Sequence, residues 1–431
     1  MLRIRFLPLL LFIILTSSLF SQESFKDTLK VSIRQADSIF IANNLSLLAE
    51  KCNVEASKAQ IIQARLFNNI TLAATQVAYN SEYKTNGGNQ WFDLSDKGET
   101  SLQVQKLFLL AGKRNKQIKM AEATANREEQ NYFDLLRTLK FSLRSSFYSV
   151  YSLEETLRVY DKEIASLNQL IGVFQNQYEK GYVSKKELLR LKSTLFSLES
   201  EKLGYSTQLI GSQADLNLLL HTNNLYYVPQ PDLNLLESLS PESLKLQALV
   251  DTAYTHRYDL KMVQSDLSIN ELNLAYQKAV AVPDLTFSAG WDKSGGYIHN
   301  YNFIGLQFDL PFFNRNQGNI KSAKYNLEST RYKLQSTGDQ VRSDVVKAYS
   351  AALENNRLYQ KFDKHFVADL EELNREMLKN YEKKNIGLVE FLDYYDAYKI
   401  NAVQLNNLQN NRFNAFENIN FTIGKDVIYN K

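Results

Sequence analysis

Cysteine is nearly absent from this chain of 431 residues, which contains only Cys52. A single cysteine cannot form an internal disulfide, so the folded state must be stabilised by burial or by assembly. A large net charge is also absent, because 50 basic and 47 acidic side chains give +3. This balance gives no reason to expect a nucleic-acid partner. A mean hydropathy of −0.35 excludes a bundle of transmembrane helices.

Proline is rare, with six residues in the chain, none of them between Pro8 and Pro229 or after Pro311. Because proline inside a helix costs about 3 kcal/mol, these stretches permit very long helices. Residues 113–171 contain neither proline nor glycine, and residues 319–386 contain one glycine. Apolar residues recur there at spacings of three and four. The pattern predicts long helices that bury their apolar stripes by coiled-coil pairing.

A long apolar run is found only at the N-terminus. Arg3 and Arg5 precede the run from Phe6 to Thr16, and small residues follow it. This order is typical of a secretory signal peptide, which we predict over residues 1–21. The run is too short for a comfortable membrane span. A buried N-terminal helix is the alternative.

One phrase is written twice at an offset of 203 residues, YEKGYVSKKELLRLKSTL at 178–195 and YEKKNIGLVEFLDYYDAY at 381–398. Each copy follows one long apolar pattern and precedes another. Gly181 in the first copy, and Asn385 with Gly387 in the second, supply turn residues. Each phrase is therefore predicted to be the tip of a long helical hairpin.

Upstream of each tip, the period of the apolar residues changes from about 3.6 to 2. Large apolar residues alternate with small or polar ones in residues 101–108, 285–292 and 302–310. Such strands suit the wall of a transmembrane barrel, although a soluble β-hairpin on a core shows the same alternation. The signal peptide and the aromatic residues near the strand ends favour the membrane. These aromatic residues are Tyr79, Trp91, Trp291, Tyr297 and Tyr301.

Four strands cannot close a barrel, because the smallest outer-membrane barrels have about eight. Open strand edges are not tolerated in lipid. If these strands span a bilayer, several chains must contribute to one barrel. The predicted fold class is therefore mixed, with long α-helical coiled-coil hairpins and four transmembrane β-strands per chain in a shared β-barrel.

The repeats also predict an internally duplicated chain. The first copy has an extra insertion at roughly residues 81–96, and three prolines mark the connector between the copies. The predicted segments are the signal peptide 1–21, a first repeat 22–220 (β-hairpin about 70–110, tip about 178–186), a connector 221–242, a second repeat 243–424 (β-hairpin about 284–311, tip about 381–389) and a tail 425–431.

Two further phrases, AGKRNKQI at 111–118 and PFFNRNQGNI at 311–320, complete the pattern. With the tip phrases and the duplicated layout, they give a resemblance to the TolC-like outer membrane efflux proteins over nearly the whole mature length. AGKR and PFFNRNQG are most similar to the branch that serves heavy-metal pumps of the Czc and Cus type. The resemblance implies a homotrimer in the outer membrane of a Gram-negative-type cell, with a shared β-barrel and a helical tunnel in the periplasm.

The resemblance also implies partners. A periplasmic adaptor (a membrane fusion protein) and an inner-membrane transporter, of the RND type in the heavy-metal branch, would complete a tripartite pump. The tips would dock the adaptor, although tight turns need the same residue types without any partner. The docking residues implied by the resemblance are Gly181, Tyr182, Val183, Ser184, Asn385, Ile386, Gly387 and Leu388.

The second tip phrase carries Asp393 and Asp396, whereas the first copy has Arg190 at the position of Asp393. A spacing of three places both carboxylates on one helix face. In the resembled family an Asp pair after the second tip narrows the tunnel, which implies rings of carboxylates that attract cations and close the resting aperture. Tyr394 and Tyr395 would pack the constriction. A solvated helix face is the alternative.

Catalytic, cofactor-binding and metal-binding motifs are missing from the sequence. The four histidines are scattered, and AGKR lacks the glycine and the Ser or Thr of a phosphate-binding loop. We expect no enzyme, no cofactor and no metal ligands. The expected function is a passive outer-membrane duct for small toxic solutes, metal cations among them. A duct for type I polypeptide secretion and a periplasmic coiled-coil protein without a pore are the alternatives.

Overall fold

The computed structural model describes residues 27–79, 81, 90–92, 99–222, 225–294, 298–362 and 365–427. The predicted signal peptide, Tyr297 and most of the expected insertion lie outside these residues. The strands are β1 (Asp27–Val31), β2 (Thr71–Gln76), β3 (Thr100–Phe108), β4 (Leu225–Pro229), β5 (Leu285–Ser294) and β6 (His299–Phe308). The α-helices are α1 (Ile33–Asn43), α2 (Leu45–Arg65), α3 (Lys113–Glu179), α4 (Lys185–Leu220), α5 (Leu233–Ser238), α6 (Leu246–His256), α7 (Tyr258–Val280), α8 (Gln317–Lys361), α9 (Phe366–Glu382) and α10 (Leu388–Ile423).

The chain divides into two compact units. The first contains the described residues of Met1–Leu48, Leu135–His256 and Arg342–Lys431. The second contains those of Ala49–Asp134 and Arg257–Val341. Helices α2, α3 and α8 contribute residues to both units.

The longest helix, α3, runs for 67 residues without interruption, which is about 100 Å at 1.5 Å per residue. The corresponding helix of the second half is divided, because α8 ends at Lys361 and α9 begins at Phe366. His365, the residue before α9, has a low helix propensity, and the sequence between the two helices contains no proline or glycine. Within the described ranges, no helix is both long and apolar enough to cross a membrane.

Four antiparallel strands form the sheet of the second unit, in the order β2-β3-β5-β6. Their register aligns side chains in rows across the sheet, so each row lies on one face. The apolar face carries Leu72, Leu102, Val104, Phe108, Leu285, Phe287, Trp291, Ile304, Leu306 and Phe308. The opposite face is mostly small or polar and carries Thr71, Thr75, Ser101, Gln103, Gln105, Leu107, Thr286, Ser288, Tyr301, Phe303, Gly305 and Gln307.

Two positions in this sheet need a separate explanation. Gly290 lies against the ring of Phe303, and a Cβ there would come within 2.7 Å of the carbonyl oxygen of Leu102. The close approach therefore requires glycine. Lys106 is a charged residue on the apolar face, and its ammonium group donates a hydrogen bond to the carbonyl of Asn68 beyond the strand end. Its charge is thereby carried away from the apolar rows.

In the first unit, the connector between the two halves is held by Arg412 of α10, which is 1% exposed. Its guanidinium donates to the carbonyl oxygens of Leu236 and Leu239 at 2.9 and 2.8 Å, and to Asn356 Oδ1 at 2.9 Å. Burial lowers the pKa of this group. Strand β1 pairs in parallel with β4 of the connector, so the connector is fixed at both ends.

A second buried arginine joins the beginning and the end of the first unit. Arg144 of α3 lies 2.8 Å from the Asp37 carboxylate, 3.0 Å from Glu417 and 3.2 Å from Asp426. Burial lowers the pKa of the guanidinium, but the three carboxylates outweigh burial and raise it. This ion cluster links α1, α3, α10 and the segment that follows α10.

Candidate functional site

The first hairpin tip is closed by a Schellman motif at the end of α3. Gly181 has a left-handed backbone with φ 78°. Its N–H donates to the carbonyl of Tyr178 at 2.9 Å, and the N–H of Tyr182 donates to the carbonyl of Gln177 at 2.9 Å. These bonds satisfy carbonyls that the helix end would otherwise leave unpaired. The turn role predicted for Gly181 is confirmed.

The second tip has the same backbone with a different residue at the left-handed position. Lys384 has φ 61°, its N–H donates to the carbonyl of Tyr381 at 2.9 Å, and the next N–H completes the motif. Lys384 lies 203 residues after Gly181, so the repeat offset is kept. Asn385 lies in the turn as predicted and donates the second hydrogen bond of the motif, but the left-handed residue is Lys384 rather than Asn385 or Gly387. Helix-end hydrogen bonding imposes the conformation on a lysine.

The helices that leave the two tips begin differently. Ser184 caps α4 through a capping box, in which its Oγ accepts from the Glu187 N–H at 3.2 Å and the Glu187 carboxylate accepts from the Ser184 N–H at 3.3 Å. Gly387 is the equivalent residue before α10 and has no side chain to cap with. Glu390, the counterpart of Glu187, therefore has no serine to bind.

An aromatic core lies behind both tips. The rings of Phe174 and Tyr381 are stacked with centroids 5.0 Å apart, and Tyr381 stacks on Phe391 at the same distance. Tyr395 follows, with its ring centroid 5.6 Å from Phe391. All four side chains are buried, and burial raises the pKa of both tyrosine hydroxyls. Since Val183 packs in the same cluster, the two tips share one core.

The eight residues predicted to dock an adaptor divide into an exposed group and a packed group. The exposed residues are Gly181, Tyr182, Ser184, Asn385 and Gly387. Val183 is buried, and Ile386 and Leu388 pack against the aromatic core. The side chain of Tyr182 is 70% exposed, and its carbonyl accepts a hydrogen bond from the Lys384 ammonium at 3.3 Å. The exposed surface is therefore continuous across both tips.

The carboxylates of Asp393 and Asp396 are both exposed on α10, on one face as their spacing predicts. Tyr394 is half-buried beside them. Tyr395 lies in the aromatic core instead, where its hydroxyl donates to the carbonyl of Glu163 at 2.7 Å. Of the two tyrosines, only Tyr394 borders this acidic face, which we define as Glu390, Asp393 and Asp396.

Asp396 and Asp393 differ in their electrostatic surroundings. The ammonium of Lys399 lies 3.5 Å from the Asp396 carboxylate and 3.0 Å from Glu201 of α4. The Lys399 side chain is only 11% exposed, so solvent screens its charge poorly. Among the described residues, Asp393 has no ion pair. Asp393 therefore keeps its negative charge uncompensated, while that of Asp396 is partly neutralised.

Glu390 is the member of the acidic face that the sequence did not single out. It is exposed and lies three residues before Asp393, which extends the face by one turn towards the tip. Because Glu390 is equivalent to Glu187 in the repeated tip sequence, the sequence indicated only an ordinary helix-surface residue. Gly387 could have indicated the difference, because glycine has no side chain that could bind Glu390 as Ser184 binds Glu187. Over the part of the chain that the structure describes, no group of three His, Cys, Asp or Glu side chains is placed to hold a metal ion.

Comparison with known proteins agrees with the predicted resemblance. Residues 38–221 match the family model described as outer membrane efflux protein. The matched part includes the first hairpin tip, and the match supports the predicted resemblance.

A curated relative of this chain is the cobalt-zinc-cadmium resistance protein CzcC of Cupriavidus metallidurans. The two are 23% identical over 306 residues, which cover 68% of this chain and 66% of CzcC, slightly less than two thirds of its length.

Solved structures show the same fold. A membrane protein from Pseudomonas aeruginosa superimposes with a TM-score of 0.75 at 15% identity, over 91% of this chain and 92% of the other. The CmeC outer membrane channel of Campylobacter jejuni superimposes with a TM-score of 0.74 at 13% identity, over 91% and 85% of the two chains. The chain therefore has the TolC-like fold, mostly helical with β-sheets.

Proposed function

We propose that this protein belongs to the outer membrane efflux proteins and is the outer-membrane channel of a tripartite efflux system, a passive trimeric exit duct for small toxic solutes, metal cations among them. A periplasmic adaptor and an inner-membrane transporter of the RND type would complete the system, and the transporter would supply the energy. Metal cations are included because the relative CzcC is named for cobalt, zinc and cadmium resistance.

The observation that carries this proposal is the sheet of the second unit. Its apolar face is open to solvent in the single chain, with Leu72, Ile304 and Leu306 each at least 64% exposed. Its outer strands, β2 and β6, each have one edge without a partner strand among the described residues. Lipid contact accounts for the exposed face, and neighbouring copies account for the open edges. Four strands are too few to close alone, so copies of the chain share one barrel.

The tips support the assembly with an adaptor. Both tips have the same Schellman backbone at an offset of 203 residues, and both expose polar turn residues above one shared core. A partner that recognises one tip can therefore recognise the other. This equivalence also supports an internal duplication, with repeats at residues 22–220 and 243–424 joined by the connector 221–242.

The acidic face supports the selection of cations. Around a threefold axis, Glu390, Asp393 and Asp396 would form stacked rings of carboxylates, bordered by Tyr394 and backed by the buried Tyr395. Such rings attract cations and repel one another, which favours a narrow resting aperture. A passive duct needs no tight binding site, because tight binding slows release.

Single-channel recording in a planar lipid bilayer tests the proposal. We expect discrete, cation-selective current steps from the purified protein. Asp393→Asn should reduce the cation selectivity more than Asp396→Asn, because Lys399 already compensates part of the Asp396 charge. Asp251→Asn is the matched control, since Asp251 is also an exposed aspartate on a helix of the first unit, and it should leave the selectivity unchanged.

The possible results separate the parts of the proposal. Current steps that neither aspartate variant alters would retain the duct and reject the acidic face as its selectivity region. A protein that is extracted without detergent and gives no current would reject the duct in favour of a periplasmic coiled-coil protein without a pore.

A further inference from the structure

Glu163 is a buried carboxyl group of α3 with incomplete hydrogen bonding. It is 5% exposed and lies against α9 and α10. The amide Nδ2 of Asn374 is 3.3 and 3.4 Å from its two carboxylate oxygens, and its main-chain carbonyl accepts the Tyr395 hydroxyl at 2.7 Å. The Oδ1 atom of Asn374 is buried and has no hydrogen-bond partner among the described residues. Three helices therefore meet at one unsatisfied polar cluster.

The charges around this cluster do not neutralise a carboxylate. The titratable and charged side chains that act on the cluster are Lys162 on α3, Glu371 and Arg375 on α9, and Tyr395, Asp396 and Tyr398 on α10. Lys162 pairs with Glu371 at 3.4 Å, and no ion pair of Glu163 is present in the described chain. Burial raises the pKa of Glu163 to about 7, although the nearby Tyr395 hydroxyl and the Asn374 amide act to lower it.

We propose that Glu163, Asn374 and Tyr395 form a proton-sensitive joint between α3 and the second hairpin, tight while the Glu163 carboxyl is neutral and loosened when it ionises. A neutral carboxyl donates its proton to Asn374 Oδ1 after a small rotation of the amide, and it still accepts from Nδ2. Every polar atom of the pair is then satisfied. An ionised carboxylate cannot donate, so Oδ1 stays unpaired beside a buried charge that lacks a cation.

The direction of the pH effect follows from the proton balance. The packed joint holds the Glu163 proton up to about pH 7, whereas a solvated glutamate releases it near 4.5. The stabilisation is therefore complete below about pH 4.5, and it is lost as the pH rises through about 7. Over that window the equilibrium constant for opening the joint should increase by about 300-fold.

The joint acts on the part of α10 that carries the acidic face. Tyr395 stands between Tyr394 and Asp396 in the chain, and its hydroxyl is hydrogen-bonded to the main chain of α3. When the joint loosens, the restraint that this bond places on α10 weakens. Alkaline conditions should therefore increase the mobility of the helix segment around Asp393 and Asp396.

Amide hydrogen exchange of the full-length protein in detergent micelles tests the joint. Protection factors are measured for α9 and the first turns of α10 at about pH 5 and about pH 8.5, each corrected for the intrinsic exchange rate at that pH. We expect the wild type to lose protection by more than about ten-fold at the higher pH. Glu163→Gln should stay protected at both, because glutamine is neutral and its amide can pair with Asn374.

The matched control is Glu372→Gln, which removes an exposed carboxylate of α9 and should keep the wild-type pH dependence. The proposal is overturned if the wild type is equally protected at both pH values, or if Glu163→Gln loses protection as the wild type does.

Should Glu163→Gln fail to fold, infrared titration of the wild type decides the question. A neutral-acid carbonyl band that disappears with a midpoint near pH 7 supports the joint, and the absence of such a band above about pH 5 rejects it.

Discussion

At the scale of single residues, the two tips show how one backbone is built from unequal sequences. Gly181 takes a left-handed conformation at no steric cost. Lys384 takes the same conformation in the second tip with a Cβ, which costs roughly 1–2 kcal/mol. Sequence reasoning favoured Asn385 and Gly387 because those residue types tolerate turns. It could not locate the left-handed residue, because hydrogen bonding at the helix end, rather than local preference, selects it.

We therefore expect Lys384→Gly to stabilise the protein. The relief of the left-handed strain is partly offset by the greater freedom of glycine in the unfolded chain, which leaves a gain of about 0.5–1 kcal/mol. Denaturant unfolding of the solubilised protein measures the change. Lys383→Gly is the matched control, because Lys383 lies one residue earlier with φ −83° and gains no relief. Equal effects of the two substitutions would contradict the explanation.

At the scale of helices and strands, the aromatic core determines whether the hairpins stay packed at their tips. Phe391 is fully buried between the rings of Tyr381 and Tyr395. Phe391→Ala should destabilise the first unit by about 3–5 kcal/mol, since it removes stacked contacts and leaves a cavity. Val389→Ala on the same helix should change stability by less than about 0.5 kcal/mol, because Val389 is 83% exposed.

Thermal unfolding followed by circular dichroism compares these two variants. A small loss of stability for Phe391→Ala would mean that the tips do not depend on the aromatic core. If Val389→Ala instead lost as much stability as is expected for Phe391→Ala, Val389 would be covered in the folded assembly.

The sequence predicted the strands of the four-stranded sheet, but it predicted neither the pairing of β1 with β4 nor the break between α8 and α9. The alternation of apolar and polar residues from Leu285 depends on side-chain direction, which is local, and β5 begins at that residue. The break between α8 and α9 has no proline or glycine to announce it. The burial of Tyr395 could not be predicted either, because a tyrosine between two aspartates in the sequence does not indicate which helix face it occupies. Such features depend on packing between distant segments.

At the scale of the whole molecule, the four-stranded sheet has two chemically different faces, and among the described residues its outer strands β2 and β6 each have one edge without a partner strand. The sequence predicted this alternation but not which chain would cover the edges, since the number of copies is not a property of one strand. In the proposed assembly, lipid covers the apolar face and water fills the space behind the polar face. Neighbouring positions of β6 should then respond in opposite ways to the same substitution.

Leu306 and Gln307 provide that comparison, because they are adjacent on β6 and lie on opposite faces. Leu306→Arg places a charge against lipid and should cost about 2 kcal/mol, which lowers the yield of folded protein in lipid vesicles. Gln307→Arg should fold normally and, by adding positive charge to the lumen, make the channel less cation-selective. Protease resistance in vesicles measures the first effect, and single-channel reversal potentials measure the second. If both variants lost folding equally, the sheet would have protein rather than lipid against its apolar face, and the shared barrel would have to be abandoned.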